Sequence, residues 1–222
     1  MRGMAMSMID LIKQRRSIRA YRPEIPPREL ILECLEAASW APNPTSQQPW
    51  QFIVLAGKPL QAVCRAIKEN FKPVPGPQVV PINPVTQEML DRRKKKHFSE
   101  MMEFLKAQHY DMQSAADGNF RFHGAPVGVI FGVYPCKDQN YLKSTVAAMQ
   151  NFMLAAWSRG LGTCWMNAVS ICQEHIKREL KLEDDLILVD GIAVGYPDPD
   201  SPINKIPRER LPVEAVVRWM DT

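Results

Sequence analysis

Apolar side chains recur along the first part of this chain at spacings that switch between helix and strand. Residues 30–38 place them on one helical face after Pro26-Pro27, which predicts a helix that begins at the two prolines. Residues 51–55 form a short apolar strand, and residues 58–70 return to helical spacing. Before them, Ser7 followed by Asp10 is a capping-box pattern that predicts a short first helix.

The second half of the chain continues the alternation. Residues 125–134 form an apolar strand without charge, and residues 141–159 form a helix that is apolar nearly all round, ended by Gly160. Such a helix is predicted to be buried in a core or a subunit interface. The remaining predicted elements are a strand or turn at 163–166, a helix at 173–180 and a strand at 186–196. This order indicates a three-layer α/β or α+β sandwich.

One segment interrupts the alternation, and we interpret residues 72–122 as an inserted helical lobe or lid. Residues 72–85 are rich in proline and therefore form neither a helix nor a central strand. The following helix carries the basic run Arg92–His97. That run is typical of a surface for nucleic acid or membrane, or of a solvated helix face. The absence of interleaved aromatic residues favours the solvated face.

Composition limits the classes of protein that remain. A chain of 222 residues with 45% hydrophobic and 23% charged residues has the size and make-up of one α/β core. Its net charge of +4 is too small to indicate nucleic acid by itself, and no apolar run is long enough to span a membrane. Five cysteines without CxxC spacing, and scattered histidines, predict no metal site, no disulfide framework and a cytoplasmic location.

Two short basic clusters stand near the opposite ends of the chain. They are Arg15-Arg16-Ser17-Ile18-Arg19 and Arg208-Glu209-Arg210. Guanidinium groups donate paired hydrogen bonds to phosphate oxygens and keep their charge, so these clusters suit one small phosphate dianion. The alternative is that they form two solvated basic patches.

Other chemistry is sparse. In the turn at residues 41–50, Asn43, Ser46 and Gln48 offer donors and acceptors for the edge of a flat heterocycle, although an ordinary loop also explains them. The glycines at 160–162 follow a helix and lack a third glycine, so they are not a dinucleotide fingerprint. We find no P-loop and no nucleophile motif, and we predict no catalytic side chain.

Taken together, these segments resemble the nitroreductase family of FMN-dependent oxidoreductases. The matching elements are RRSIR at 15–19, Gln48-Pro49-Trp50, GLGTCWMNA at 160–168 and GYPDPDSPINKIPRERLP at 195–212. They occur in the family's order and span nearly the whole chain. The long insert is most similar to the branch that reduces nitroaromatic compounds. The resemblance implies a three-layer α-β-α sandwich with a mixed central sheet, forming a single domain over residues 1–222.

The resemblance also implies a set of residues that contact FMN. Arg15, Arg16, Ser17 and Arg19 match the motif that follows the phosphate, the ribityl chain and the pyrimidine edge. Arg208 and Arg210 match the basic pair that closes on the phosphate. The other matches are Asn43, Pro44 and Ser46 in the turn, often supplied by the second subunit, and Met166, Asn167 and Ala168 beside flavin N5. Ser46 replaces a common asparagine, and Asn167 and Ala168 stand where many relatives have glycine.

The implied activity is a transfer of hydride from NADH or NADPH, through flavin N5, to a nitroaromatic or similar electron-poor acceptor by ping-pong kinetics. The implied assembly is a homodimer with FMN at the subunit interface, without nucleic acid or membrane. Three alternatives stay open on the same scaffold. They are reduction of flavins, quinones or enones, reductive dehalogenation, and flavin binding without catalysis.

Two further residues invite a chemical role. His123 precedes the strand at 125–134 and is interpreted as a structural histidine rather than a proton donor. Cys164 lies next to the glycine segment, and because no neighbouring cation in the sequence marks it as a thiolate, it is interpreted as buried packing.

Overall fold

The structure, a computed structural model, describes residues 7–72, 84–135 and 140–220, the first three residues of the second range as backbone only. These residues form eight α-helices and four strands, close to the predicted order. The helices are α1 Met8–Gln14, α2 Arg28–Ser39, α3 Gly57–Asn70, α4 Pro84–Ala107, α5 Met112–Asp117, α6 Tyr141–Ser158, α7 Ala168–Ile171 and α8 Gln173–Leu180.

The four strands of the described residues form one sheet in the order β1-β2-β4-β3, with every neighbouring pair antiparallel. Ser17 adds a parallel bridge to Thr163 on the outer strand, so the mixed character of the sheet is confined to that bridge. The strands are β1 Trp50–Ala56, β2 Val127–Val133, β3 Gly162–Met166 and β4 Ile187–Gly195.

Alternate residues of the central strands enter two hydrophobic cores, one on each face of the sheet. On β2, Val129 and Phe131 pack with helices α2 and α6, whereas Ile130 packs with α3, α7 and α8. Because successive strand residues point to opposite faces, one strand supplies both cores. Helices therefore cover the sheet on both sides, and the predicted three-layer α-β-α sandwich is confirmed.

Local signals explain several helix ends. Ser7 Oγ accepts a hydrogen bond from the backbone N–H of Asp10 at 3.1 Å, as the capping-box pattern predicts. Helix α2 begins directly after Pro27 and buries Ile31, Cys34, Leu35 and Ala38 on the predicted face. After α6, Gly160 adopts a φ of 76°, a left-handed conformation that glycine allows without strain.

The long apolar helix α6 is only partly covered in the single chain. Met149 and Phe152 are fully buried in the core, as the sequence predicts. Leu142 and Val146 are 40% and 42% exposed, so one side of the helix faces outward. This exposed side lies on the first half of the helix.

Helices α4 and α5 account for most of the predicted lobe, whereas residues 73–83 of its proline-rich segment lie outside the described residues. Leu105 near the end of α4 is buried in a small cluster with Ile203 and Ile206. Met101 and Phe104 of the same helix pack against this cluster. Helix α4 is therefore held at one end by the segment that follows β4, while the domain boundaries of the lobe stay a prediction.

Candidate functional site

The first basic segment lies along the edge strand β3. The backbone N–H of Ile18 donates to the carbonyl of Thr163 at 2.9 Å, and the Ile18 side chain is buried. A Cβ atom on Gly162 would lie 2.6 Å from Ile18 Cγ1, so the glycine lets the two backbones approach. This contact fixes the orientation of the flanking Arg15–Arg19 segment on the sheet.

Asn204 joins this segment to the C-terminal tail, although the two are more than 180 positions apart. Its Oδ1 accepts from the N–H of Arg19 at 2.7 Å and of Ala20 at 3.2 Å. Its Nδ2 donates to the carbonyls of Ala20 and Asp198 at 2.8 and 2.9 Å. Asn204 is buried, and all its described bonds go to backbone groups. It therefore acts as a structural link between the two ends of the chain.

Arginine side chains add a second link between the ends. Arg16 Nη2 donates to the carbonyl of Ile206 at 2.5 Å. Arg208 donates to the carbonyls of Lys13, Gln14 and Arg15 at the end of α1, at 3.0 Å for Gln14. A helix leaves its last carbonyls unpaired, so a guanidinium group is a favourable partner there.

These links bring the basic clusters together around one cavity of about 150 Å³, which we name the arginine cavity. It unites six of the predicted cofactor residues, from both ends of the chain. The lining residues are Arg15, Arg16, Ser17, Arg19, Arg208 and Arg210, together with His97, Met101, Ile203, Ile206 and Pro207. The two clusters therefore form one site rather than two separate patches, and Arg208 and Arg210 are exposed in it.

The charges in this cavity repel one another. Burial, followed by the neighbouring Arg208 and Arg210, lowers the pKa of Arg15. Burial, followed by Arg208 and Arg19, lowers the pKa of Arg16, and burial followed by Arg210 lowers that of Arg208. Among the described residues, no carboxylate lines the cavity to offset these charges. A bound anion would remove the repulsion, so the arrangement favours a compact anion such as a phosphate.

Arg16, which lines the arginine cavity, has a buried side-chain atom without a partner. Within the described parts of the chain, Arg16 Nε and Thr163 Oγ1 are buried without a hydrogen-bond partner. Buried polar groups normally have partners, so these atoms call for an explanation. The donor set of the arginine cavity therefore fits a phosphate group, and it combines residues from both ends of an α+β chain.

A larger cavity of about 530 Å³ lies elsewhere, beside α3 and α5. Its lining contains Arg65, Lys68 and Arg121, but also Asp111 and Asp117. It includes none of the predicted site residues. The mixed charges give it no clear preference for an anion, so we assign the site to the smaller cavity on charge rather than on size.

The predicted residues at 166–168 lie where β3 ends and α7 begins. Met166 and Ala168 are buried, and Asn167 is exposed. Asp190 on the neighbouring strand accepts hydrogen bonds from Trp165 Nε1 and Ser170 Oγ, both at 2.6 Å. These bonds brace the turn on both sides. Burial raises the pKa of Asp190, and the two hydrogen bonds oppose part of that effect.

The turn with Asn43, Pro44 and Ser46 does not line the arginine cavity in the single chain. Asn43 Oδ1 accepts from the N–H of Gln48 at 2.8 Å, which holds the turn closed. Thr45, Ser46 and Gln48 have φ values of 48°, 54° and 47°, a conformation uncommon outside glycine. The turn is therefore a strained, exposed feature, as functional loops often are.

Cys164 shows one error of the sequence interpretation. The sequence indicated no nearby cation, but Arg19 and Arg15 lie close enough to lower the pKa of its thiol, and Ser17 hydrogen-bonds to it. Burial is the larger effect, so the pKa is raised overall. Cys164 is therefore still a protonated, buried packing residue. The reason is its burial rather than the lack of neighbouring cations.

His123 is buried ahead of β2, consistent with a structural role. Its ring Nε2 has no hydrogen-bond partner among the described residues. Burial, together with the charges of Arg19 and Arg121, lowers its pKa to about 4. The imidazole is therefore neutral at pH 7.

Sequence reasoning missed His97, Asn204 and Asp190 as parts of the site. His97 belongs to a basic run that suggested a solvated surface, and Asn204 is one asparagine among many. Asp190 interrupts an otherwise apolar strand, and this was the one signal that could have found it. The described residues contain no group of three His, Cys, Asp or Glu side chains that could hold a metal ion. Nor does any described helix have the length and apolar character needed to cross a membrane.

Comparison with known proteins identifies one family and several relatives. The model of the nitroreductase family matches residues 12–196. The chain is 32% identical over 208 residues to a 4-nitrobenzoate reductase of Pseudomonas putida. This match covers 90% of each of the two chains. It is 29% identical over 212 residues to a chloronitrobenzene nitroreductase of Comamonas testosteroni, covering 92% of this chain and 93% of the relative.

A solved structure shows the same fold. It is the FMN and NADPH-dependent nitroreductase NfnB from Sphigopyxis sp. strain HMH, with a TM-score of 0.81 and 25% identity over 97% of this chain and 100% of that one. The protein is thus an α+β oxidoreductase whose arginine cavity is lined by five arginines. It belongs to the nitroreductase family.

Proposed function

We propose that this protein is a homodimeric, cytoplasmic FMN enzyme that oxidises NADH or NADPH and reduces nitroaromatic or similar electron-poor compounds. The observation that carries the proposal is the convergence of five arginines from both chain ends on the arginine cavity. The family relatives, which act on nitro compounds, support the same reaction class.

The arginine cavity would hold the phosphate of FMN. Arg15, Arg208 and Arg210 supply charge, and Ser17 and Arg16 add hydrogen-bond donors at its wall. Each charge-assisted hydrogen bond contributes roughly 1.5–3 kcal/mol to binding. Several such bonds, with burial of the ring, suffice for tight retention without a covalent link.

When bound, FMN supplies the centre that accepts and donates hydride. The residues of the chain bind and orient this group. Arg19 is assigned to the pyrimidine edge, where a fixed positive charge stabilises added negative charge. The backbone at Met166–Ala168, braced by Asp190, is assigned to the edge that bears N5. Asn43, Pro44 and Ser46 complete the site from the second subunit.

A dimer is supported by apolar surface at both ends of the chain. Helix α1 buries none of its residues, and its Met8 and Ile9 are 65% and 64% exposed. In the tail, Trp219 and Met220 are 78% and 87% exposed. Exposed apolar side chains on α1 and in the tail are available to a second copy of the chain, because apolar surface of this kind is often buried in an interface. Light scattering should give twice the chain mass of 25.3 kDa, and a monomer mass would contradict the dimer.

The activity is tested by spectroscopy on the purified protein. We expect a yellow protein with a flavin spectrum that NADH or NADPH bleaches in a stopped-flow instrument. Colour should return when a nitroarene is added after the nicotinamide is exhausted, as ping-pong kinetics require. Recolouring by a quinone, enone or halogenated arene but not by a nitroarene would assign one of the alternative acceptors. A flavin that no nicotinamide reduces would contradict the enzyme.

A further inference from the structure

We propose that His97, on the inserted helix α4, donates a hydrogen bond to the phosphate of the bound cofactor and thereby ties the lobe to the loaded site. This inference rests on the FMN binding proposed above. It goes further by giving the lobe a direct part in cofactor retention.

The rotation of α4 is fixed by its buried end. Leu105 is 1% exposed and packs against Ile203 and Ile206 of the tail. Met101 and His97 precede Leu105 by four and eight residues, so all three lie in one row on the same helix face. Met101 and His97 both line the arginine cavity. The anchoring of Leu105 therefore directs His97 to the phosphate site.

An ion pair at Lys96, the residue before His97, also joins α4 to the C-terminal tail. Lys96 Nζ lies 3.4 Å from Glu209 Oε2 and 3.5 Å from Glu100 Oε1. Glu209 stands between the two cavity arginines of the tail. The pair is exposed and contributes little energy, but it shows that α4 runs directly beside the tail at this point.

Among the α4 side chains that line the cavity, His97 is the one that can donate a hydrogen bond to a phosphate. The first segment and the tail surround the phosphate site with guanidinium groups, and α4 provides its remaining wall. Of the two α4 side chains in that wall, Met101 has no hydrogen to donate, whereas an imidazole N–H donates readily. The other basic residues of the run, Arg92–Lys96, are not part of the lining.

Comparison of FMN with riboflavin, which lacks the phosphate, tests the inference. In the flavin-free full-length chain, His97→Ala is expected to raise the Kd of FMN about fivefold to tenfold and to leave the Kd of riboflavin unchanged, measured by flavin fluorescence. His97→Gln, which keeps a donor, should restore most of the FMN affinity. Lys95→Ala, on the same exposed helix but outside the lining, is the matched control and should change neither value.

Limited trypsin digestion gives an independent readout. Residues 92–96 are five consecutive Arg and Lys residues on α4, so cleavage there reports local opening of the helix. FMN should slow this cleavage in the wild-type chain but not in His97→Ala, and riboflavin should slow it in neither. An unchanged FMN affinity, or equal weakening of FMN and riboflavin, would overturn the role of His97. A wild-type chain that binds neither flavin would instead overturn the proposed function.

Discussion

Reversing the charge of Arg208 and Arg210 together is expected to leave the purified protein without FMN. Both guanidinium groups line the arginine cavity, and two glutamates would repel the phosphate dianion. Loss of two charge-assisted bonds alone corresponds to roughly 3–6 kcal/mol, about a hundredfold to ten-thousandfold in Kd. The double variant should therefore be colourless, and titration with FMN should show little binding.

Two controls separate loss of the phosphate site from loss of structure. Arg218→Glu makes the charge change of one of these two substitutions in the same tail, outside the cavity, and should retain FMN. Arg208 also holds the end of α1, whereas Arg210 donates only to the adjacent Glu209 carbonyl in the described contacts. Arg210→Glu alone should thus weaken FMN binding with α1 intact. Full flavin content in the double variant would refute the assignment of both residues.

Replacing His123 with asparagine is expected to make the stability of the fold less sensitive to acid. The folded-state pKa of His123 is about 4, below the ordinary value of 6.5. The unfolded chain therefore binds the proton first as the pH falls. Stability is fully present above pH 6.5 and is lost progressively towards pH 4. The loss from this one group is about 3 kcal/mol by pH 4.

The measurement is the free energy of unfolding in urea at pH 7 and pH 4. His123→Asn removes the titrating group, and asparagine tolerates the φ of 52° at this position. The difference between the two pH values should shrink by about 3 kcal/mol relative to wild type. His109→Asn is the matched control, since His109 has the same φ but is exposed. Equal pH dependence in wild type and His123→Asn would contradict the buried-histidine account.

Most of the fold could be predicted because buried apolar residues recur along each helix and strand at the period of that element. The face of α2 and the paired cores on β2 follow directly from apolar spacing. The uninterrupted apolar strand at 127–133 reflects helices on both faces of the sheet, a pattern that also suits parallel strands. Its antiparallel pairing was not predictable, since pairing direction depends on the partner strands and leaves no mark on a fully buried strand.

The parts of the site that consist of clustered charges could be predicted from the sequence. The parts that depend on contacts between residues far apart in the sequence could not. Arg15–Arg19 and Arg208–Arg210 are visible as clusters, and one anion explains both. Asn204 makes its bonds to groups 184 and 185 positions away, and no local pattern reveals such a link. His97 joins the cavity only because Leu105 docks eight residues later, which depends on the packing of the tail.

The linkage of both chain ends also affects biosynthesis. The strands of the described residues end with β4 at Gly195, but the cavity needs Arg208 and Arg210, and the cluster around Leu105 needs Ile203 and Ile206. A nascent polypeptide therefore completes neither feature until its tail has been translated. We expect a chain truncated shortly after β4 to lack both the arginine cavity and the anchor of α4.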